Sequence, residues 1–264
     1  MPVPVTKMHG ARNDFVVLDR RATPLEGLDR FARFACDRRA GIGADGLLVI
    51  EASEEADVRM RTFNADGTEA EICGNGIRCA ARWLDENGEG DRIRFETSGG
   101  QVETEVVARE PEYLVRLAVS APRIAPHSVP FLDDARFVDV GNPHVVIFRK
   151  KVDDVDLTML ASRLQESTLF PRGTNVHIAA IEGAGTMRVR HWERGVGLTM
   201  ACGTGAVACA AAAIEKGLVS SPVDVFVPGG RLIVEWDGHG LAHLTGPAVR
   251  VFDATVPLEV GVPT

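Results

Sequence analysis

Apolar and polar residues alternate in short runs along most of this chain. VRMRTF (58–63) and MRVRHW (187–192) keep period two, the spacing that puts every second side chain on one face of a strand. Runs of similar length and β-branched character recur at FVVLD, GLLVIEA, QVETEVV, YLVRLAV, HVVIF, NVHIAAI, VDVFVPG and RLIVEW, and they read as further strands. Four stretches read as helices: Leu28 to Arg38, Asn75 to about Glu86, Asp156 to Gln165, and Thr204 to about Lys216. Two of them close at Gly88 and Gly217, and glycine is the residue that best accepts the left-handed conformation just past a helix end. Strands outnumber helices, and the fold class expected is α+β.

One pattern returns at long range. ICGNGIRCAA begins at Ile72 and ACGTGAVACAA at Ala201, so Cys202 follows Cys73 by 129 residues (202 − 73). The same offset carries Asn13-Asp-Phe-Val-Val onto Asn142-Pro-His-Val-Val, Arg59-Met-Arg-Thr-Phe onto Arg188-Val-Arg-His-Trp, and Glu86-Asn-Gly onto Glu215-Lys-Gly. Self-similarity at a fixed period marks two copies of one domain, and this period is far too long for a solenoid. The expected domains are residues 1–119 and 120–249. The stretch APRIAPHSVP between the copies, with prolines at 122, 126 and 130, reads as an extended linker.

Composition narrows the function classes. At 264 residues and 45% apolar content the chain can bury a full core. A net charge of -8 weighs against nucleic acid and anionic membranes as partners, since both repel such a surface. The opening MPVPVTKMHGARNDF has no basic flank leading into an apolar run, and the longest apolar run, Ala206 to Ile214, is too short to span a bilayer. Neither a signal peptide nor a membrane span is expected. Five cysteines (36, 73, 79, 202 and 209) are an odd number, which favours reduced thiols and a cytoplasmic location. Their spacing does not suit zinc, so no metal is expected. Cys36, Cys79 and Cys209 read as small buried hydrophobes.

Cys73 and Cys202 are different, because only they stay in register under the offset. Each is followed by Gly-x-Gly at the start of a helix. The first backbone N–H groups of a helix lack internal partners and lie at the positive end of its dipole, so they hold anions and favour an adjacent thiolate. Glycines at 74, 76, 203 and 205 keep side chains out of a ligand's way, although a tight turn also uses glycine in this manner. Two equivalent thiols suggest a pair facing one α-carbon in an interdomain cleft. A thiolate removes the hydrogen from one face, a thiol returns one to the other, and the N–H groups hold the carboxylate that takes up charge. Pyridoxal phosphate is the usual alternative for such chemistry, but none of the four lysines (7, 150, 151, 216) stands in a phosphate-cradling context. No cofactor is expected.

HGARNDF, FNADGTEAEICGNGIRC, GNPH, TNV and ERGVGLTMACGTG, in that order, closely resemble the diaminopimelate epimerase family. The resemblance covers essentially the whole chain. It implies two similar, pseudo-symmetric domains, each a mixed or antiparallel sheet wrapped around a central helix, with residues 250–264 returning to the first. It implies interconversion of LL- and meso-2,6-diaminopimelate for lysine and peptidoglycan-precursor synthesis, without cofactor, in a homodimer. Carried over by motif, Cys73 and Cys202 are the acid and base, and Gly74-Asn75 and Gly203-Thr204 present N–H groups to the reacting carboxylate. Asn13, Asn64, Asn142, Asn175 and Arg194 would bind substrate, Glu193 would lie near the reacting amine, and His144 would support the site. Taken singly, each has a plainer reading: a turn-forming Asn, a solvated Arg, a core His. Two positions depart from the family pattern. Gly46 stands where some members carry a polar side chain, and His177 where an acidic one is common; strand alternation is expected to turn His177 away from Asn175.

The copies also differ from each other. Under the offset Gly46 meets Asn175, Asn64 meets Glu193, and Ala65 meets Arg194. A one-sided arginine suits a substrate with a second carboxylate, which it can pair bidentately. A proline or hydroxyproline racemase-type epimerase is the nearest rival and gives Arg194 nothing to bind. A cysteine hydrolase using His144 or His191 as base, or an amino-acid-binding module, would leave the duplicated thiols unexplained.

Overall fold

The computed structural model of the chain describes residues 2–70, 73–125 and 132–257. Contacts divide it into two units: the described residues of Met1–Leu117 with Pro247–Thr264, and those of Ala118–Gly246. The linker prolines 126 and 130 lie outside the described residues, whereas Arg123–Ile124 of the expected linker forms a short strand.

The first unit runs β1 (Pro2–Gly10), β2 (Asn13–Asp19), α1 (Leu28–Cys36), β3 (Gly46–Glu51), β4 (Val58–Asn64), β5 (Glu69–Ala70), α2 (Gly74–Glu86), β6 (Arg92–Thr97), β7 (Gly100–Ala108) and β8 (Leu114–Val119). The second runs β9 (Arg123–Ile124), β10 (Ala135–Asp139), β11 (Pro143–Phe148), α3 (Leu157–Gln165), β12 (Asn175–Gly183), β13 (Thr186–Glu193), β14 (Gly197–Thr199), α4 (Gly203–Glu215), β15 (Val223–Val227), β16 (Gly230–Glu235) and β17 (Ala242–Pro247). The chain then returns to the first unit as β18 (Val249–Pro257), antiparallel to β1.

Pairing within the units follows one plan. In the first, β2 and β3 are parallel, β4 and β6 are parallel, and β1–β2, β3–β4, β6–β7 and β7–β8 are antiparallel. In the second, the parallel pairs are β11–β12 and β13–β15, and β9–β10, β10–β11, β12–β13, β15–β16 and β16–β17 are antiparallel. Each unit is thus a mixed α+β sheet bent around one helix. α2 touches β1, β2, β3, β6, β7 and β18; α4 touches β10, β11, β12, β13, β15 and β16. The outer helices α1 and α3 cover the other face of the central strands, with Phe31 and Ala35 against Leu47 and Val49, and Leu157 and Ala161 against Val145 and Ile178. Strands covered on both faces are continuously apolar, as GLLVI and HVVIF are.

Helix ends follow local chemistry. α1 stops at Cys36 rather than Arg38, because the Asp37 carboxylate accepts from the Arg39 and Ala40 N–H groups and holds its own backbone extended. α3 is capped by Asp156, which accepts from Met159 N. Gly88 and Gly217 both take positive φ, +83° and +67°, past the ends of α2 and α4. The structure adds β1, β6, β10, β17 and β18, and the short β5, β9 and β14, to the expected strands. Pro2 and Pro4 obscured β1, and they fall where β1 pairs only with β18, ahead of its ladder to β2.

α4 is apolar on every side, and Gly205 through Ala213 are all buried, which marks a core helix. α2 and α4 each sit close on their sheet through the glycine at the third helical position. A Cβ on Gly76 would lie 2.7 Å from Leu48 Cδ2, and one on Gly205 would lie 2.5 Å from His177 Cε1. Under the 129-residue offset Gly76 maps onto Gly205 and Leu48 onto His177, so the contact is the same in both copies. A leucine methyl can move aside; a ring buried on all sides cannot. Gly205→Ala is therefore expected to lower unfolding stability by ~1–3 kcal/mol and Gly76→Ala by less. Gly74→Ala, with nothing within 4 Å of its Cβ position, should leave stability unchanged. Denaturant midpoints of the three variants check this order; equal losses would contradict it.

Candidate active-site helix tips

Cys73 is the residue before α2 and Cys202 the residue before α4, two helices of 13 residues each. Both cysteines are extended, with φ −137°, ψ 104° and φ −122°, ψ 111°, and each carbonyl accepts the first helical bond, from Ile77 N and Ala206 N at 2.9 Å. The N–H groups of the two residues that follow each cysteine therefore precede the helical ladder, where a bound carboxylate would meet them. All five cysteines are thiols. Cys36, Cys79 and Cys209 are buried, and burial raises the first two to about 12 and Cys209 well above its ordinary range, as suits core residues.

The Cys73 tip is held by amides. Cys73 Sγ lies 3.8 Å from Asn13 Oδ1, which also accepts from Asn75 Nδ2 at 3.1 Å. The Asp45 carboxylate fixes the orientation of Asn13 by accepting from its Nδ2 at 2.8 Å, and Arg38 pairs with Asp45 at 2.7 Å. Behind them, Arg78 is completely buried and donates to Asn75 Oδ1 at 2.8 Å and to the carbonyls of Pro247 and Gly74. A cation thus lies under the first turn of α2. Asn64, at the end of β4, is exposed and donates to Thr68 Oγ1 within its own turn.

The Cys202 tip has the opposite character. Cys202 is 4% exposed; burial and the charge of the Glu193 carboxyl push its thiol well above the usual range, against weaker help from the Thr204 hydroxyl and the Gly205 N–H. Thr204 Oγ1 is 3.6 Å from Cys202 Sγ. Burial also raises Glu193, against the lowering influence of nearby Thr199 and Cys202. At this tip burial thus shifts both groups toward their protonated forms.

Beneath α4 lies a chain of buried imidazoles. Asn142 Oδ1 is 2.8 Å from His144 Nε2, His144 Nδ1 is 2.8 Å from His177 Nε2, and His177 Nδ1 is 2.8 Å from His191 Nδ1. His177 is no bystander, contrary to expectation. Residues two apart in a strand share a face, so His177 lies on the Asn175 side of β12, the side that meets α4. Asn175 itself is buried and bridges backbone, donating to Pro143 O at 3.0 Å and accepting from Arg194 N at 3.0 Å. The Arg194 side chain is exposed and donates to Arg172 O. Gly46 has no room for a side chain, since a Cβ there would lie 2.6 Å from Phe63 O.

Among the described residues no group of three or more His, Cys, Asp or Glu side chains is arranged to hold a metal ion. Lys7 is tied to Asp14 and Lys216 to Asp134.

A sequence model described as diaminopimelate epimerase matches residues 5–121 and 136–251, one segment in each unit. The chain belongs to the diaminopimelate epimerase family. A diaminopimelate epimerase of Sphingopyxis alaskensis is 44% identical over 94% of this chain and 95% of its own length. One of Archaeoglobus fulgidus is 42% identical over 98% of each. Among solved structures, a PhzF-family phenazine biosynthesis protein of Bacillus anthracis superposes with a TM-score of 0.75 over 98% of this chain and all of its own, at 20% identity, a likeness of fold alone.

The geometry brings in residues that motif reading passed over, Asp45, Arg78 and Thr199, and gives His177 and His191 a place it did not assign them. His177 and His191 could have been paired from the sequence, since they stand seven residues either side of Ala184 in the turn EGAGT, and they are direct partners across the β12–β13 ladder. Their burial has a consequence for stability. Burial pushes His144 and His191 down to about 3, and His177 well below its usual value, so the folded chain keeps them neutral. The unfolded chain protonates below pH ~6.5. Stability is thus complete above pH ~6.5 and falls as pH drops, by up to ~1.4 kcal/mol per pH unit for each histidine. Denaturant unfolding between about pH 7 and about pH 5, above the carboxylate range, should show this slope; a flat profile there would contradict it.

Proposed function

We propose that the chain is a cofactor-independent amino-acid epimerase that interconverts LL- and meso-2,6-diaminopimelate through the thiols of Cys73 and Cys202, in lysine and peptidoglycan-precursor synthesis. The observation that carries this reading is the duplicated tip: a cysteine of matching extended conformation before a 13-residue helix in each unit, followed by Gly-x-Gly. Epimerisation of a free amino acid needs an acid and a base on opposite faces of one carbon, and two equivalent thiols meet that need.

The two tips divide the roles. Cys202, buried beside Glu193, is the thiol at rest, and Cys73, less buried and beside the Asn13 amide, is taken as the base in the forward direction. The C–H bond breaks as Cys73 sulfur takes the proton, and the electron pair moves into the carboxylate. Cys202 S–H then delivers its proton to the other face of the carbon. The product leaves Cys73 protonated and Cys202 as thiolate, the state that runs the reaction in reverse. The N–H groups of Gly74, Asn75, Gly203 and Thr204 stabilise the charge on the carboxylate as it develops. Asn13, held by Asp45, and Asn142, held by His144, are amides with fixed orientation. Asn64 contributes from its turn, and Asn175 acts by bracing Pro143 and the Arg194 backbone. Arg194 takes the distal carboxylate, and Glu193 lies near the reacting amine.

Incubation with LL-diaminopimelate in D2O, followed by NMR of the α-hydrogen, tests the reading. Exchange with inversion is expected for this substrate and not for L-proline; no exchange with either would sink it. In the same assay Cys73→Ala and Cys202→Ala should each lose about 10²–10⁴-fold in rate. Arg194→Ala should raise KM by about 10–100-fold, the loss of a charge-assisted hydrogen bond.

The reading carries an assembly and a location, a homodimer in the cytoplasm. Exposed Val251 and Phe252 on β18 offer an apolar contact for a second copy. Sedimentation at micromolar concentration should give twice the chain mass, and a monomer would end the dimer assignment.

A further inference from the structure

The fold does not require the three buried histidines. Under the 129-residue offset His144, His177 and His191 correspond to Phe15, Leu48 and Thr62 of the first unit, all three buried in the same sheet positions. One copy of the scaffold therefore closes with mainly hydrocarbon where the other carries imidazoles. Burying polar rings is unfavourable unless each nitrogen finds a partner, so their presence calls for a role beyond packing.

Their hydrogen bonds have a direction that can be read from both ends. An amide oxygen only accepts, so the contact between His144 Nε2 and Asn142 Oδ1 places a proton on His144 Nε2. His144 Nδ1 is then an acceptor and takes the Nε2 proton of His177. His177 Nδ1 in turn accepts from His191 Nδ1. The far end agrees independently. Among the described residues no protein group hydrogen-bonds His191 Nε2, so a proton there would be an orphaned buried donor, whereas on Nδ1 it is used. A second proton on His144 or His177 would set N–H against N–H, and one on His191 would be an orphaned buried donor; the deep burial of all three works in the same sense.

We propose that His177 and His191 are positioning residues that, through His144, lock the Asn142 amide with its oxygen inward and its NH2 group free to donate to a substrate carboxylate. The proposal rests on the epimerase reading for the identity of that substrate, but the proton arrangement does not. The same rings form the floor under Cys202. The Cβ position of Gly205 is 2.5 Å from His177 Cε1 and 3.0 Å from His191 Nδ1, and the Gly205 N–H is bonded to Cys202 sulfur. The chain thus sets both the amide donor at the start of β11 and the height of the α4 tip. A ring that could turn over would leave Asn142 free to present its oxygen to an anion, a repulsive contact instead of a donor.

Nitrogen-15 NMR of the imidazoles in the ligand-free protein tests the arrangement without reference to activity. The expected tautomers are Nε2–H for His144 and His177 and Nδ1–H for His191. The reversed set, or mixtures at His144, would overturn the proposal. His177→Leu, the residue that the first unit uses at this place, breaks the chain. It should raise KM for diaminopimelate by about 10-fold with kcat changed less than about 3-fold, as expected for one misdirected hydrogen bond, and should give a mixed tautomer at His144. Unchanged KM together with an unchanged His144 signal in the folded variant would overturn it; so would a uniform loss of stability with no KM effect. If His177→Leu does not fold, His191→Thr, the other substitution borrowed from the first unit, is read in the same way. Failure of the native protein to turn over diaminopimelate would refute the functional reading, and the tautomer pattern would stand or fall on its own.

Discussion

The chemistry proposed for this protein depends on the close seat of a helix N-terminus on the strand beneath it. In each unit a glycine at the third helical position brings the first turn down until a Cβ would strike the sheet, at Leu48 in one case and His177 in the other. That approach fixes where the preceding cysteine stands and where the first N–H groups of the helix point. A helix one side chain further from the sheet would still have a positive end, but its thiol would no longer be held against the groups that decide its protonation. Packing, and not the cysteine alone, makes the tip a reactive place.

The repeat also separates what the scaffold needs from what the reaction needs. Strand order, the two parallel pairs, the outer helix and the glycine seat recur in both copies. The linings do not. Arg78 lies under the first tip, where the second has Val207; Glu193 flanks the second, where the first has Asn64. A buried cation on one side and a half-buried carboxyl on the other give two geometrically equivalent thiols unequal environments. On the proposed two-thiol reading this inequality is what the resting state requires, since two thiols or two thiolates would both leave one proton transfer without a partner.

Much of this was legible in the sequence. The offset of 129 residues selected Cys73 and Cys202 from five cysteines, and helix ends at Gly88 and Gly217 followed from local backbone preference. What stayed hidden depended on partners distant in the chain. Arg78 is only five residues beyond Cys73, yet nothing local says that a helical arginine will be buried against the Pro247 carbonyl. Asp45 gains meaning only when the parallel pairing of β2 and β3 sets it beside Asn13. His177 was assigned to the wrong face through a misapplied alternation, and even the right face would not have revealed His144, which reaches it from a neighbouring parallel strand. Periodicity tells which side of a strand is buried; it does not tell what is buried with it.

The contrast between Leu48 and His177 carries the argument furthest. Both occupy the position that the glycine of the helix tip approaches most closely, and both satisfy the steric demand of the seat. A leucine there answers only the packing requirement. A histidine answers it while adding two nitrogens that must be satisfied in a place water does not reach freely, which commits its neighbours to a single arrangement of protons. Rigidity of that kind is of no use to a core that needs only volume, but it matters to an amide whose two ends differ in sign. Buried polarity in the second unit is therefore best understood as orientation carried inward from Asn142, with the hydrocarbon of the first unit showing what the same fold does when orientation is supplied elsewhere, by Asp45 on Asn13.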